Sequence, residues 1–134
     1  MSVSGFNHWD KIEKALDESA LGIVREGALY VVEETRARAA VKTGNMRIAI
    51  YRQSMGRSTY GRSKPVHLLP EIPPPADKYT AHAAAGADYS IYVNNGTRFM
   101  RAQPFWEPGV AAAAVRFQKY MNGIVKFIEE AARK

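Results

Sequence analysis

The chain contains no cysteine and no long hydrophobic run, and both absences restrict what it can be. Without cysteine there are no disulfide bonds and no thiolate ligands for a metal ion. No segment approaches the roughly 20 apolar residues of a membrane-spanning helix, so we expect no membrane partner. Residues 1–6 lack the basic and apolar regions of a signal peptide, and we expect a protein that is made and used in a cytosol.

Recognisable catalytic patterns are missing as well. The histidines His8, His67 and His82 stand far apart, and they form none of the spacings with which His, Cys and Glu bind a metal. The segment Gly56–Gly61 has the glycines of a phosphate-binding loop but not its Gly-Lys-Ser/Thr ending. We therefore expect a protein that is not an enzyme and has no catalytic, cofactor-binding or metal-binding residues. A small hydrolase or nuclease is the weakest alternative, because it would need an acid–base or metal cluster.

What the chain does have is a strong separation of charge. Its 134 residues, a length typical of one domain, carry a net charge of +6. Residues 1–34 hold seven acids and three bases, whereas residues 35–70 hold eight bases and no acid. Such a separation creates opposite electrostatic potentials on different parts of one molecule. Nucleic acid is one partner that fits the basic part, and the acidic part of a second copy of the chain is another.

Two long helices are predicted near the ends of the chain. Apolar residues recur at three- and four-residue steps over Trp9–Ala40, and Gly44 favours termination just beyond. Gly22 and Gly27 inside this helix predict a close packing contact or a bend. The second helix is predicted over about Pro108–Ala132. Its apolar seam is shorter than that of a sustained coiled coil, so we expect it to pack within its own domain.

Two strands are predicted between the helices. Alternating apolar residues over Asn45–Gln53 are typical of a strand, and the alanine-rich segment Tyr79–Ala87 is predicted to return beside it. Residues 89–97 fit two structures. Asp88 as a cap and Gly96 as a stop favour a short helix, whereas the Asn95-Gly96 pair favours a hairpin turn. Together these elements predict an α+β fold: a small antiparallel sheet packed by two long helices, in one domain spanning residues 1–134.

A long basic and proline-rich segment separates the two strands. Residues 54–64 are rich in glycine, serine and arginine, and residues 65–75 contain five of the seven prolines. A connection of this length is usually functional or disordered, so we predict a flexible arm over about residues 54–75 that is weakly attached to its domain. Arginine binds phosphate, and Tyr51 and Tyr60 could stack on bases. A solvated loop, a surface that docks on another subunit and a nucleic-acid contact all remain open. The candidate interface residues are Arg52, Arg57, Arg62 and Lys64.

Three short motifs follow one another along the chain. The first is Thr43-Gly44 with Met46-Arg47-Ile48, the second runs from Tyr89 to Gly96-Thr97, and the third is Gln103-Pro104-Phe105. Their order and spacing resemble the tail-completion family, also described as minor tail components, of the head–tail neck of tailed bacteriophages. The resemblance spans roughly residues 9–130. The residues that match the motifs of the family are Thr43, Gly44, Arg47, Tyr89, Val93, Gly96, Thr97, Gln103, Pro104 and Phe105.

The resemblance implies a function as well as a fold. Members of the family act as closed rings, commonly sixfold, through which DNA passes, and they complete the tail or join it to the filled head. For this chain the resemblance implies a homo-oligomer whose other partners are neck, connector or tail-tube proteins, with transient contact to DNA in the lumen. It implies a location in the virion, and in the host cytoplasm during assembly. The alternative is a small basic nucleic-acid-binding module, a phage-encoded DNA-binding protein, which the charge pattern also fits.

One position departs from the family. Asn94-Asn95 stand where the family commonly has Glu and an aromatic residue before Gly-Thr. We expect Asn94 to accept a hydrogen bond that is not charge-assisted. Arg47 is predicted to point away from the apolar face of its strand, free to meet a carboxylate. Phe105 and Trp106 are expected to lock the last helix onto the sheet.

Overall fold

Two long helices and a small sheet make up most of the chain. The computed structural model describes residues 3–39 and 44–133. The elements in chain order are α1 (Val3–Arg38), α2 (Asn45–Ala49), β1 (Ile50–Ser54), β2 (Arg57–Ser58), β3 (Ala81–Ala85), α3 (Ser90–Asn95) and α4 (Trp106–Arg133). The α+β class, with a long helix packed against a small antiparallel sheet, is therefore confirmed.

Helix α1 is the element on which the others pack. It has 36 residues and is about 54 Å long. Its buried positions, Ala28, Val32 and Thr35, follow one another at helical spacing and form one face. This face contacts both the sheet and α4. The helix begins before the predicted Trp9, and the predicted last residue, Ala40, lies outside the described residues.

The sheet has the strand order β2-β1-β3, with antiparallel neighbours throughout. Ile50 pairs with Ala85 and Ser54 pairs with Ala81, so the alanine-rich segment returns beside the first strand as predicted. Helix α1 contacts β1 and β3 directly. The small alanine side chains of β3 leave room for this approach.

The prediction of a strand over Asn45–Gln53 is wrong in its first half, because Asn45–Ala49 form α2. Gly44 has a φ of 78°, and its carbonyl accepts a hydrogen bond from the Ile48 amide at 3.2 Å, which closes a helical turn. Met46, Ala49 and Ile50 are buried, whereas Ile48 is exposed. The apolar residues therefore follow a helical spacing here. A run of apolar residues this short fits both the two-residue period of a strand and the 3.6-residue period of a helix, and tertiary packing selects between them.

The ambiguity over residues 89–97 is resolved in favour of the short helix, α3. Gly96 ends it with a φ of 78° and a ψ of 169°, a backbone conformation that is essentially restricted to glycine. A methyl group added at Gly96 would also lie 2.7 Å from the Ala102 amide nitrogen. The chain turns sharply at this glycine and then runs back toward the start of α4.

Helix α4 begins at Trp106, two residues before the predicted start at Pro108. Two glycines lie in tight contacts between α4 and α1. The Phe117 ring lies 3.2 Å from the position a methyl group on Gly27 would take, so the predicted close contact at Gly27 is confirmed. A methyl group on the buried Gly109 would lie 2.6 Å from Thr35 Cγ2. Gly22 has nothing within 4 Å, so no such contact involves it.

The buried core lies where the end of α1, α2 and the start of β1 meet the segment that leads into α4. Phe105 is 1 % exposed and is the largest side chain buried this completely among the described residues. Trp106 packs against the same cluster from a half-buried position. The predicted anchor before the last helix is thus part of the core. The other buried apolar members are Val32, Ala39, Met46, Ala49, Ile50 and Ala87.

The segment between β1 and β3 is hydrogen-bonded to its own domain. The Leu69 amide donates to the Gly86 carbonyl at 2.8 Å, and the Tyr60 hydroxyl donates to the Leu69 carbonyl at 2.6 Å. The Ile72 amide donates to the Tyr51 hydroxyl at 3.1 Å. The structure therefore differs from the expectation of a weakly attached arm. Backbone hydrogen bonds and tyrosine side chains supply the attachment that its few apolar residues do not. The flexibility of residues 54–75 in solution stays a prediction.

We predict opposite effects for the same substitution at two helical glycines. Gly109→Ala should destabilise the protein by about 1–3 kcal/mol, because the added methyl group overlaps the buried Thr35. Gly22→Ala has open space around it and should stabilise the protein by up to about 1 kcal/mol through helix propensity. Urea unfolding of both variants measures the difference. Equal stabilities would show that the α1–α4 contact accommodates the added methyl group without a loss in the free energy of unfolding.

Candidate functional site

The structure gathers four arginines around one cleft. Arg25 from α1, Arg52 from β1, Arg57 from β2 and Arg62 from the following turn line a cleft of ≈ 190 Å³. Its other lining residues are alanine, glutamine, serine and threonine, with no acid among them. We call this set of four arginines the arginine cleft. Three of the four predicted interface residues meet there, and Lys64 does not line it.

Arg25 is the member of the arginine cleft that the sequence did not indicate. Its Nε donates to Ser54 Oγ at 2.8 Å, and its Nη2 donates to the Met55 carbonyl at 3.2 Å. These bonds tie the side chain to the end of β1. Arg25 stands in the acid-rich first part of the chain, far in sequence from the other three arginines. Only the packing of α1 across β1 brings it to the other arginines.

Arg36 adds further positive charge behind the cleft. Its Nη2 donates to the Ile50 carbonyl at 2.7 Å. Burial lowers the pKa of the Arg36 guanidinium, and the positive charge of Arg52 lowers it further. Among the described residues, Arg36 Nε is a buried donor without a hydrogen-bond partner. An arginine stays protonated despite such shifts, so loss of a proton does not relieve the repulsion between Arg36 and Arg52.

Among the described residues, no ion pair joins a carboxylate to an arginine of the cleft, although Glu71 bonds to Gln53 and Ser58 in its lining. The ion pairs in that part of the chain join Arg38 to Glu34, and Arg116 to Glu33 and Glu34. The hydrogen bond from Arg38 lowers the pKa of the Glu34 carboxyl. Two acids of the first helix are thus paired inside the domain. The side chains of the acids at positions 10, 13, 17 and 18 lie outside the described residues.

The first motif closes the end of α1. Arg47 Nε donates to the Arg36 carbonyl at 2.9 Å, and this carbonyl, in the last turn of α1, also accepts a hydrogen bond from the Ala39 amide at 3.3 Å. The expectation that Arg47 is free to meet a carboxylate is therefore wrong. Its side chain belongs to the helix α2 rather than to a strand, and it turns back over α1. Thr43 lies outside the described residues.

Asn45 joins the first motif to the second. Its Nδ2 donates to the Tyr89 hydroxyl at 3.1 Å and to the Val66 carbonyl at 2.8 Å, and its Oδ1 accepts from the Val66 amide at 2.6 Å. Tyr89 itself is half-buried and packs against the core. One amide side chain therefore fastens α2, α3 and the proline-rich segment to one another.

Asn94 joins the second motif to the third. Its Oδ1 accepts hydrogen bonds from the Phe105 and Trp106 amides, both at 3.0 Å, and so satisfies donors at the start of α4. Its Nδ2 donates to the Glu107 carboxylate at 2.9 and 3.1 Å. The bond from Asn94 lowers the pKa of Glu107. Asn94 was expected to accept a hydrogen bond that is not charge-assisted, and its bonds from the two neutral amides confirm this. Its charge-assisted bond to Glu107, in which it is the donor, was not predicted.

The remaining motif residues have distinct positions. The Gln103 amide donates to the Val93 carbonyl at 2.8 Å, which adds a backbone bond between the second and third motifs. Val93 packs against the core, whereas Thr97, Gln103 and Pro104 are exposed. Tyr89 and Val93 thus pack against the core that contains Phe105, and no described motif residue lines the arginine cleft.

No helix in the described part of the chain is long and apolar enough to cross a membrane. The same residues contain no group of three or more histidine, aspartate or glutamate side chains that could hold a metal ion. No protein-family model, no curated protein and no solved structure matches the chain.

We predict that Asn94 stabilises the protein far more than its neighbour does. Asn94→Ala removes the acceptor for two amides at the start of α4 and should cost about 0.5–2 kcal/mol. Asn95→Ala changes an exposed residue and should stay within about 0.5 kcal/mol. Chemical unfolding at neutral pH measures both variants, and equal losses would contradict the role assigned to Asn94.

The loss of unfolding free energy caused by Asn94→Ala should depend on pH. The pKa of Glu107 is lowered in the folded protein, so its bond with Asn94 contributes stability above the unfolded pKa of the carboxyl. This contribution disappears as the pH falls through the folded pKa. The difference between wild type and Asn94→Ala should therefore shrink at acidic pH, and a difference that grew there would contradict the assigned hydrogen bond.

Proposed function

We propose that this chain is a structural subunit of the neck of a tailed bacteriophage, where copies form a ring that completes the tail end or joins the tail to the DNA-filled head. The observation that carries the proposal is the arrangement of the three motifs. Asn45 bonds to Tyr89, and Asn94 bonds to the amides of Phe105 and Trp106. The segments that carry the three motifs are thus bonded together, through Asn45 and through Asn94, the position that departs from the family. Contact between these segments supports the proposal that their order along the chain reflects one framework.

The distribution of charge supports the ring. A ring is built from head-to-tail contacts, which need two different and complementary patches on each subunit. The arginine cleft supplies a positive patch without an internal counterion among the described residues. The acidic part of the chain before Ser19 supplies the opposite charge. We propose that the acidic part of one copy docks on the arginine cleft of the next.

The alternative function is binding of nucleic acid through the same cleft. Four guanidinium groups around one cleft would fit the phosphates of a nucleic-acid backbone. The tyrosines that would stack on bases are already engaged, however. Tyr51 is 2 % exposed and packs edge-on against Tyr60, with ring centroids 5.0 Å apart. A neck ring must also let DNA slide through, and tight phosphate binding would oppose this passage. We therefore favour docking between subunits.

Virions provide the direct test of the neck proposal. In purified particles of a phage that encodes this chain, quantitative mass spectrometry should find several copies per particle. Labelling with a specific antibody should place them at the junction of head and tail. A single copy per particle, or absence from purified particles, would rule out the structural role.

We predict that reversing the charge of the arginine cleft weakens self-association. Arg57→Glu with Arg62→Glu should raise the dissociation constant in sedimentation experiments, because the docking patch changes sign. Lys119→Glu with Lys126→Glu alters the net charge equally on exposed positions of α4 and should have little effect. Added salt should weaken association of the wild type, since exposed charges are screened over about 8–10 Å at ordinary ionic strength. Glu13→Arg with Glu18→Arg should restore association of the cleft variant.

The DNA alternative gives a different pattern in the same variants. Affinity for duplex DNA would fall with salt at a log–log slope of about −0.9 per phosphate contacted. Salt-sensitive, sub-micromolar DNA binding by the wild-type monomer, lost in the Arg57→Glu and Arg62→Glu variant, would establish the nucleic-acid module instead. If Glu13→Arg with Glu18→Arg does not restore association of the cleft variant, this result would separately argue against docking between subunits.

A further inference from the structure

Three arginines of the cleft have no partner for their guanidinium groups among the described residues. The side chains of Arg52, Arg57 and Arg62 make no hydrogen bond or ion pair to that part of the chain. The bonds between Arg52 and Thr59 use the backbone of Arg52. Each guanidinium carries five N–H donors in a planar fork. Donors of one kind therefore line the cleft, and a ligand rich in acceptor oxygens would satisfy them.

The fourth arginine is held in place beside a buried polar lining. Arg25 is half-buried, and its bonds to Ser54 Oγ and to the Met55 carbonyl use Nε and Nη2, so its Nη1 group remains for a ligand. Ser54 is 5 % exposed and Gln53 is 2 % exposed, and both line the cleft. Arg52 is half-buried as well. The cleft is thus part of the folded structure and differs from a group of arginines on an open surface.

Acids near the cleft are engaged by other groups. Glu71 accepts hydrogen bonds from Gln53 Nε2 at 3.1 Å and from the Ser58 hydroxyl, and it lines a neighbouring pocket rather than the cleft. Glu26 follows Arg25 in α1 and interacts with the Tyr30 hydroxyl. The four arginines therefore keep their positive potential, which a bound anion would lower in energy.

The size and the donors of the cleft point to a compact phosphate compound. Its volume of ≈ 190 Å³ is smaller than the roughly 300–1,000 Å³ of sites for drug-sized molecules. A single carboxylate is matched by one guanidinium fork, whereas two linked phosphate groups offer acceptor oxygens on several sides. A nucleic-acid strand would gain affinity from bases stacked on aromatic rings, but the described lining contains no aromatic residue.

We propose that the arginine cleft binds a compact polyphosphate anion, of which pyrophosphate is the simplest member. The half-buried Arg25 and Arg52 bind it from the side of the domain, and the exposed Arg57 and Arg62 bind it from the side of the solvent. The site itself does not depend on the neck function. One consequence rests on that proposed function: the cleft also docks the acidic part of the next copy, so the bound anion excludes docking and must leave before subunits assemble.

Calorimetric titration of the purified full-length chain with pyrophosphate, at constant ionic strength, tests the site. We expect one pyrophosphate per chain. Arg57→Gln with Arg62→Gln should weaken binding at least about tenfold, because two of the four forks are removed. Arg98→Gln with Arg101→Gln removes the same charge from exposed positions outside the cleft and should change the affinity less than about twofold. Equal losses in the two double variants, or no binding by the wild type, would overturn the proposal.

A conservative variant separates a specific site from diffuse positive charge. Arg57→Lys with Arg62→Lys keeps the charge but loses the planar forks, so pyrophosphate affinity should fall about fivefold or more. The melting temperature without ligand should not change, because both positions are exposed. Wild-type affinity in this lysine variant would show that charge alone attracts the anion, and the proposal would be wrong.

A short single-stranded DNA oligonucleotide distinguishes the two sources of phosphate. Under the proposal it binds more weakly than pyrophosphate, and pyrophosphate displaces it from the wild-type protein. Tighter binding of the oligonucleotide, lost in the Arg57→Gln and Arg62→Gln variant, would assign the cleft to nucleic-acid phosphates and overturn the assignment to a free anion.

The effect on assembly fails separately from the site. Pyrophosphate should raise the dissociation constant of wild-type self-association, and potassium chloride at the same ionic strength should raise it less. Pyrophosphate binding that leaves self-association unchanged would uphold the site and rule out its role in assembly. Specific binding by a chain that is absent from virions would uphold the site and remove the neck function. A virion protein that binds no pyrophosphate would do the reverse.

Discussion

The amide of Asn94 fixes the position from which α4 starts, and much of the molecule depends on that start. Two amides entering α4 bond to its oxygen, and the carboxylate of Glu107 bonds to its nitrogen. Phe105, held between these bonds, fills the core. Four residues later, Gly109 lies against Thr35 so closely that no larger residue fits. The helix pair and the core therefore share one anchoring side chain, and a small displacement there would affect both.

Some charged side chains of the domain are paired with one another, whereas the arginines of the cleft are not. Glu33 and Glu34, near the end of α1, pair with Arg116 and Arg38, and such exposed pairs contribute little stability. The arginine cleft has no such partner among the described residues, and Arg36 lies partly buried next to it. Positive charges brought together without counterions repel one another. A fold that retains them presents a surface whose electrostatic energy improves when an anionic partner arrives.

The parts that could be predicted from the sequence are those governed by local patterns. The long amphipathic helices and the alanine-rich strand follow from periodicity. The short helix before Gly96 was left open against a hairpin, and its N-cap is Tyr89 rather than the expected Asp88. The helix over Asn45–Ala49 was missed, because four or five apolar residues satisfy both periods and the left-handed Gly44 decides between them. Arg25 and Asn94 were beyond sequence reasoning for another reason. Their roles depend on partners 11 to 30 residues away, which only the tertiary packing brings together.

The attachment of the proline-rich segment changes how the arginine cleft should work. The sequence alone predicted an arm that becomes ordered when it meets a neighbour. The entropy lost on ordering would weaken the association of subunits. In the structure, the side-chain amide of Gln53 donates to the Ile72 carbonyl at 3.0 Å, and the Ser58 hydroxyl donates to the Glu71 carboxylate. Thr59 bonds to the backbone of Arg52, so β2 and the turn that follows it are held beside β1. In the structure, these bonds hold the backbone of Arg52, Arg57 and Arg62 beside β1. A cleft held in this way would gain specificity from geometry and lose little entropy on docking. For the proposed ring, this attachment supports docking of folded subunits rather than folding on contact.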